Sequence, residues 1–466
     1  MSKSHATVEN ERNAPVDAEY HLTSAVPFVR TSAYPVRAGN VVRPFVDGTP
    51  AFRRICEAIE AAEHSVWLTV AFMWSSFEMP DGRGSALDVL DRAASRGIDV
   101  RILFWRPDIP IAGHARNAFW GSVEQRALLD RRRSGLKIRW DRAHPGFCQH
   151  QKTWLIDVGG EEETAFVGGI NLNPNSMAFP GHGREREHHD VYVEVRGPST
   201  VDVHHNFVQR WNEASERGER DGRWGQGSEN DLPFPMRVPK PCGAAIVQIQ
   251  RTIHAGRYAN GRSAPGAEPF DIAQGERSIL DQYCVAIDAA RRSIYIENQY
   301  LDVPEIIARL HDALTRDIEV VVLVPAEPDG ASFASERAAL ERHPNFTLAG
   351  VAGRGGDGAR NVVYVHDKLM IVDDVWATVG SCNLHRYSVF GNSELNVAFS
   401  DSAARALRSE LLLEHLGIDT SGMDDRSSLR LFRRIALENR ARLDAGDTNW
   451  QGIAFHLDAA TYGGGL

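Results

Sequence analysis

Cysteine is scarce in this 466-residue chain: Cys56, Cys148, Cys242, Cys284 and Cys382, an odd number with no CxxC spacing. That argues against a disulfide frame or a zinc knuckle and fits the reduced thiols of a cytosolic protein. Positive charge is not in excess either, because 52 Lys plus Arg stand against 62 Asp plus Glu, a formal net charge of -10. Neutralising a phosphate backbone takes clustered Lys and Arg, so nucleic acid is disfavoured as a partner, although a local basic pocket is compatible with this balance. Long apolar runs are missing as well. The longest, Val66 to Trp74, is interrupted by Thr69 and falls far short of the ~20 residues a spanning helix needs. Met1 to Val26 is polar, with Glu9, Glu11, Asp17 and Glu19, and shows no apolar segment of a secretory signal. The expectation is a cytoplasmic protein, peripheral at most on a membrane, with signal-independent export still compatible.

What is present is an α/β rhythm, repeated. Thr49-Pro50 reads as a helix start, and Phe52, Ile55, Cys56 and Ile59 share one face of the helix from Ala51 to Ala62. Val66 to Trp74 reads as a buried strand, Ala86 to Ser95 as a helix ending at Gly97, and Val100 to Trp105 as the next strand. The segment Ala58 to Leu68 aligns without gaps on Ala286 to Ile296, and each copy continues into a helix and a strand, Ile98 to Trp105 in one and Ile318 to Pro325 in the other. The predicted architecture is an arm over 1–40, a first α-β-α sandwich domain over 41–212, a Gly- and Pro-rich linker over 213–241, a second sandwich domain over 242–418, and a tail over 419–466 with a helix from Ser427 to Leu443.

Each copy carries a histidine, a lysine two positions on and an aspartate five further: His150, Lys152 and Asp157, then His366, Lys368 and Asp373. Positions i and i+2 of an extended segment face the same way, so each His and Lys pair projects into one pocket while the aspartates point elsewhere. The first copy runs on into Gly168-Gly169-Ile170-Asn171 and the second into Gly380-Ser381-Cys382-Asn383. A further strand then bears an acid, Asp190 in one copy and Glu394 in the other.

This duplicated pattern resembles the HKD signature of the phospholipase D superfamily, from about residue 43 to about residue 415. Ile296 to Leu301 is similar to the segment that opens the second half of many phospholipases D. The resemblance implies two similar domains in a pseudo-two-fold arrangement with one active site at their interface. It implies that His150 is the nucleophile forming a phosphohistidine and His366 the acid and base. Lys152 and Lys368 would hold phosphoryl oxygens, with Asn171 and Asn383 adding amide donors. Asp190 and Glu394 are placed to accept a hydrogen bond from the outer nitrogen of a histidine, and Asp157 and Asp373 are structural in the family. No cofactor or metal is implied, and one chain suffices as a monomer.

The copies are not identical. Val158 to Glu163 is inserted after Asp157, and Gly169 stands where the second copy has Ser381, so the substrate meets a hydroxyl on one side and only backbone on the other. His182, His188 and His189 read as a loop at the pocket rim rather than a metal site, and His204 and His205 as packing or solvated helix residues. Trp74 and Trp105, at strand ends, are candidates for the site entrance. Arg131-Arg132-Arg133 and Arg433-Arg434 read as solvated helix faces. The expected substrate is a phospholipid, cleaved at its headgroup phosphodiester with water or an alcohol as acceptor. A cardiolipin synthase-like transferase, an endonuclease and a non-catalytic lipid-binding module follow in that order.

Overall fold

A computed structural model describes residues 25–108, 117–132, 135–216, 230–326 and 334–458. Most of the predicted arm, residues 217–229 of the predicted linker, Arg133 and the Gly-rich end lie outside the described residues. In the first half the strands run, in spatial order, Lys137–Asp141, Asp99–Trp105, Ser65–Val70, Thr153–Ile156, Thr164–Gly168, Val191–Arg196 and Arg37–Val46. The second half repeats that order with Phe346–Arg354, Glu319–Leu323, Ser293–Asn298, Lys368–Val372, Trp376–Gly380, Glu394–Ser400 and Ala245–Ile253. In each half the first three strands are parallel and the remainder antiparallel.

The two sheets join edge to edge, because Arg37–Val46 pairs antiparallel with Ala245–Ile253. That junction relates equivalent strands of two similar units and gives the pseudo-two-fold arrangement. It also corrects the reading of 1–40 as an arm, since residues 37 to 40 already belong to the central strand. The chain before it is packed too: Gln248 donates to the carbonyls of Val29 and Tyr34 at 2.9 and 3.1 Å. The tail helix, Asp425–Asp444, is followed by a short strand, Ala454–His456, that adds to Phe346–Arg354.

Helices cover both faces. Gly48–Ala61 and Ala86–Ser95 bury Phe52, Ile55, Leu87 and Leu90 against the first sheet, and Ser278–Ala289 and Pro304–Thr315 cover the second in the same way. On the opposite face Thr200–Asn212 and Ala403–Leu416 contribute to one apolar core that holds Val193, Phe207 and Val247 together with Leu395 and Leu411. Each such aliphatic or aromatic side chain contributes roughly 1.5 to 3 kcal/mol on burial, so the continuous core ties the two halves together. Val-rich strands buried on both sides, such as Ser65–Val70 and Glu319–Leu323, follow from this covering.

One boundary differs from the sequence reading in a way that matters later. The first helix begins at Gly48 with Asp47 as the residue before it, and the Asp47 side chain makes no capping bond. Its carboxylate is turned away from the free N–H groups and buried.

Asp157 and Asp373 sit at turns just past their strands, at φ of 52° and 53°. Asp373 accepts from the backbone N–H groups of Arg291, Arg292 and Ser293 at 2.8 to 2.9 Å, and Asp157 takes those of Glu63, His64 and Ser65. Each carboxylate stitches the helix-to-strand turn of its own half. Removing one strands three donors, so Asp373→Ala is expected to destabilise the protein by about 2 to 4 kcal/mol. Urea unfolding checks this, with Asp373→Asn losing less because its amide oxygen still accepts.

Candidate active site

The two histidines are positioned by backbone pairing that crosses between the halves. Residue 149 forms a parallel bridge with Ser393, and the His150 N–H donates to the Ser393 carbonyl at 2.9 Å. The second half mirrors it: Tyr364 and Val365 pair in parallel with His188 and His189, and the His366 N–H donates to the His189 carbonyl at 2.8 Å. Each motif is thus laid beside the segment that leads into the acid of the other half.

The side chains follow the same crossing. His150 Nδ1 lies 2.9 Å from Glu394 Oε2 and 3.0 Å from the Ser381 carbonyl, while His366 Nδ1 lies 2.6 Å from Asp190 Oδ2. The sequence pairs an acid with a histidine without saying which; the structure gives each histidine the acid of the opposite half. With Nδ1 so engaged, Nε2 of each ring is the nitrogen left to meet a substrate. Only 7% of His150 and 6% of His366 is exposed.

Lys152 and Lys368 are buried beside them, 3% and 1% exposed. Each Nζ folds back onto the carbonyl of its own histidine, at 2.7 Å from His150 O in the first motif. Burial, offset in part by Glu394 at Lys152 and by Asp190 and Asp367 at Lys368, pulls both ammonium groups down to about 8, and the charge of Lys368 lowers Lys152 further. The four groups share one field, because His366 is pushed well below its usual range first by burial and then by Lys368, His188, Lys152 and His150. His150 is lowered too, by burial opposed by Glu394. The two acids differ. Burial lifts Asp190 to about 7, whereas Glu394, although buried, is held below the usual carboxylate range by His150, Lys152 and the Ser381 hydroxyl.

Asn171 and Asn383 are buried, and their side chains make no hydrogen bond among the described residues. Neither amide is spent on the scaffold. Ser381 and Gly169 do not play the substrate-facing parts expected of them. The Ser381 hydroxyl donates to Glu394 Oε2 at 2.6 Å and accepts from the Leu395 N–H at 3.1 Å, so it holds the acid. The Gly169 N–H donates to the Val191 carbonyl at 3.2 Å, and a Cβ at this residue would run into the Asp190 carboxylate. Glycine is required there because the shorter acid packs directly on the backbone.

Around the histidines, Phe72 presents its ring edge-on to His150 at 6.3 Å and touches Trp74 and Trp105, while His188 stacks on His366 at 5.7 Å. The loop reading of the histidine-rich run is corrected for two of its three residues. His188 is at the rim, but His182 and His189 are fully buried behind the second motif, among Asp47, Glu297, Asp367, Glu414 and His415. Those four acids and His415 were not read from the sequence as a group, because they come from four separate segments. The one available signal was Glu297 in the strand opening the second half. His204 and His205 are buried in helix packing, His204 edge-on to Trp67 and His205 bonded to the Tyr34 hydroxyl at 3.1 Å. Arg132 pairs with Asp88 and Asp91, and Arg434 with Glu438. No disulfide forms among the five cysteines.

A family model described as cardiolipin synthase, phospholipase D-like domain, matches residues 55–211 and 283–412, both halves of this arrangement. The chain belongs to the phospholipase D superfamily. A second model, phospholipase D, matches residues 173–303. Among relatives, phospholipase D alpha 2 of Oryza sativa subsp. japonica is 25% identical over 82% of this chain and 65% of its own length. A probable cardiolipin synthase, YwiE, of Bacillus subtilis is 25% identical over 87% of this chain and 72% of its own. The chain therefore spans just under two thirds of the plant phospholipases D it matches. Phosphatidylserine synthase of Haemophilus influenzae Rd KW20 has the same fold, with a TM-score of 0.52 and 13% identity over 87% of this chain and 93% of that one.

Two buried ammonium groups make an anion seat whose strength follows their protonation. They carry a proton below about pH 8. Tungstate, a dianion throughout this range, is expected to bind most tightly below pH 7 and to ease as Asp190, lifted to about 7, gains its charge. Above pH 8 it should weaken by about tenfold per pH unit for each lysine that must be recharged. Calorimetric titration checks this; affinity level up to pH 10 contradicts it.

Proposed function

We propose that the protein is a phosphodiesterase of the phospholipase D type, acting on the headgroup phosphodiester of a phospholipid and passing the phosphatidyl group to water or an alcohol. The observation that supports this best is the crossed arrangement, in which two buried imidazoles, each tied through Nδ1 to an acid of the other half, face one pocket with two buried lysines.

The chemistry runs from these groups. The phosphoryl oxygens enter between Lys152 and Lys368, with the amides of Asn171 and Asn383 as further donors, so charge is met by dipoles and ammonium groups fixed beforehand. His150 is neutral at neutral pH because burial lowers it, and its Nε2 can attack phosphorus. The P–O bond to the headgroup breaks as the P–N bond forms, and His366, on the other side, gives its proton to the departing alkoxide. The His366 ring is itself lowered well below its usual range, so this proton belongs to the His366–Asp190 pair: Asp190, lifted to about 7, still carries it near neutral pH and passes it to Nδ1 as Nε2–H is given up. His366 then removes a proton from water or alcohol, whose oxygen displaces His150 and restores the starting state.

Asp157 and Asp373, whose carboxylates are used in turns, take no part. The transferase reading has a specific support in the family model that matches both halves, described as cardiolipin synthase. Under it the acceptor is the hydroxyl of a second lipid or of glycerol. No helix among the described residues is long and apolar enough to cross a membrane, and access to lipid is proposed to be from the membrane surface.

With short-chain phosphatidylcholine the expected products are choline and phosphatidate, and with added ethanol or glycerol the phosphatidyl alcohol. His150→Ala and His366→Ala should each lose about 10³-fold in turnover with folding intact. Acid-quenched wild-type protein should carry a phosphoryl adduct on His150. Cleavage of single-stranded DNA or RNA without lipid turnover would contradict the lipid reading, and an adduct on His366 would exchange the two roles.

A further inference from the structure

Behind the second motif, four side chains from three places in the chain converge on one point. They are Asp47 at the start of the first helix, His182 and His189 from the segment before Asp190, and Glu414 near the end of the helix Ala403–Leu416. One ligand atom from each lies within 4.8 Å of all the others. We propose that this is a binding site for one first-row divalent transition-metal ion of the zinc class, with His182 Nε2, His189 Nδ1 and one oxygen each of Asp47 and Glu414 as its ligands.

The spacing supports an ion. His182 Nε2 is 3.2 Å from His189 Nδ1, 3.0 Å from Glu414 Oε1 and 3.5 Å from Asp47 Oδ2, and His189 Nδ1 is 3.0 Å from Asp47 Oδ1 and 3.9 Å from Glu414 Oε2. Bonds of about 2.0 to 2.2 Å in a tetrahedron put ligand atoms about 3.3 to 3.6 Å apart, and the observed separations straddle that value. Protons account for the cluster less well. Two ring nitrogens point at each other and at two carboxylates, which can be satisfied pairwise only in part, and Asp47 Oδ2 and Glu414 Oε2 have no hydrogen-bond partner although Asp47 and its neighbours are fully buried. A single dication answers all four contacts and offsets both carboxylates.

The surroundings are those of a metal-bound imidazole. Such a ring donates its other N–H to a carboxylate or carbonyl, which fixes its orientation. His189 Nε2 lies 3.0 Å from Glu297 Oε2 and 3.4 Å from Asp367 Oδ2. The Gly181 N–H donates to Glu414 Oε1 at 3.0 Å. Two nitrogens with two carboxylate oxygens suit zinc, and also manganese, iron, cobalt or nickel in the divalent state, better than calcium or magnesium.

Among the described residues the first half has no such site. When Asp190 is aligned on Glu394 and both strands are followed into their helices, Arg210 stands opposite Glu414, and Gln151 stands opposite Asp367 in the motif itself. Arg210 donates to Gln151 Oε1 at 3.1 Å and pairs with Asp141, so amide and guanidinium groups fill the equivalent space. The ion would join the first helix, the 181–189 segment and a helix of the second half, and so hold the His189 carbonyl that receives the His366 N–H. Its role is positioning.

The test is elemental analysis of the full chain, purified without chelator and without a polyhistidine tag after expression in medium supplied in turn with zinc, manganese, iron, cobalt and nickel. About one equivalent of one of these metals per chain is expected, and cobalt-loaded protein should show the visible absorption of four-coordinate Co2+. Glu414→Gln and His182→Gln should lose most of that metal. Glu297→Leu keeps the ligands but removes the acceptor facing His189 Nε2, and should weaken metal affinity about 10- to 100-fold. Wild-type protein with under about 0.1 equivalent of every metal, and with no cobalt absorption after dialysis against Co2+, would overturn the proposal whether or not the variants fold.

Discussion

The structure depends on one constraint: each catalytic-type imidazole is oriented by a carboxylate that belongs to the other half of the chain. His150 reaches Glu394 and His366 reaches Asp190, and in both cases the backbone N–H of the histidine also donates across the same seam. Buried carboxylates and imidazoles cost several kcal/mol each when unpartnered, so neither half carries a satisfied site on its own. The paired strands Arg37–Val46 and Ala245–Ile253 and the core shared by Phe207 and Leu411 hold the seam closed and meet that cost with apolar burial.

The same crossing makes the electrostatics of the pocket. Lys152 and Lys368 are buried without a full complement of negative charge, since Asp190 is lifted to about 7 and only Glu394 is held firmly as a carboxylate. Under the proposed reading the oxygens of a phosphodiester would meet ammonium groups and amides already in place. The asymmetry between the acids grows from one residue. Ser381 hands its hydroxyl to Glu394, while Gly169 leaves room for the carboxylate of Asp190 and offers no hydroxyl.

Much of this was legible in the sequence because it rests on local spacing. The gapless match of Ala58 to Leu68 on Ala286 to Ile296 carries the duplication, and the helix Ala86–Ser95 falls where its periodicity and the Gly97 stop put it. His150 with Lys152, and His366 with Lys368, are buried together within each motif, and the charges of the two motifs act on one another. What the sequence did not carry is what depends on pairing between distant segments. The strand at Arg37 lacks a helix-like or alternating signature and is fixed by its two neighbours in the sheet. Ser381 and Gly169 were misplaced because a hydroxyl near a motif says nothing of whether an acid from thirteen residues on will claim it. His182 and His189 sit in a polar stretch, which reads as surface, yet they are buried because Asp47, Glu297 and Glu414 arrive from other segments to meet them.

The most direct measurement of the central claim is the 15N spectrum of the histidine side chains in the wild-type protein and in Glu394→Gln and Asp190→Asn. The crossed arrangement requires Glu394→Gln to move the Nδ1 resonance of His150 and leave that of His366 in place, and Asp190→Asn to do the reverse. Shifts confined to the histidine of the same half, His366 for Glu394→Gln and His150 for Asp190→Asn, would contradict it.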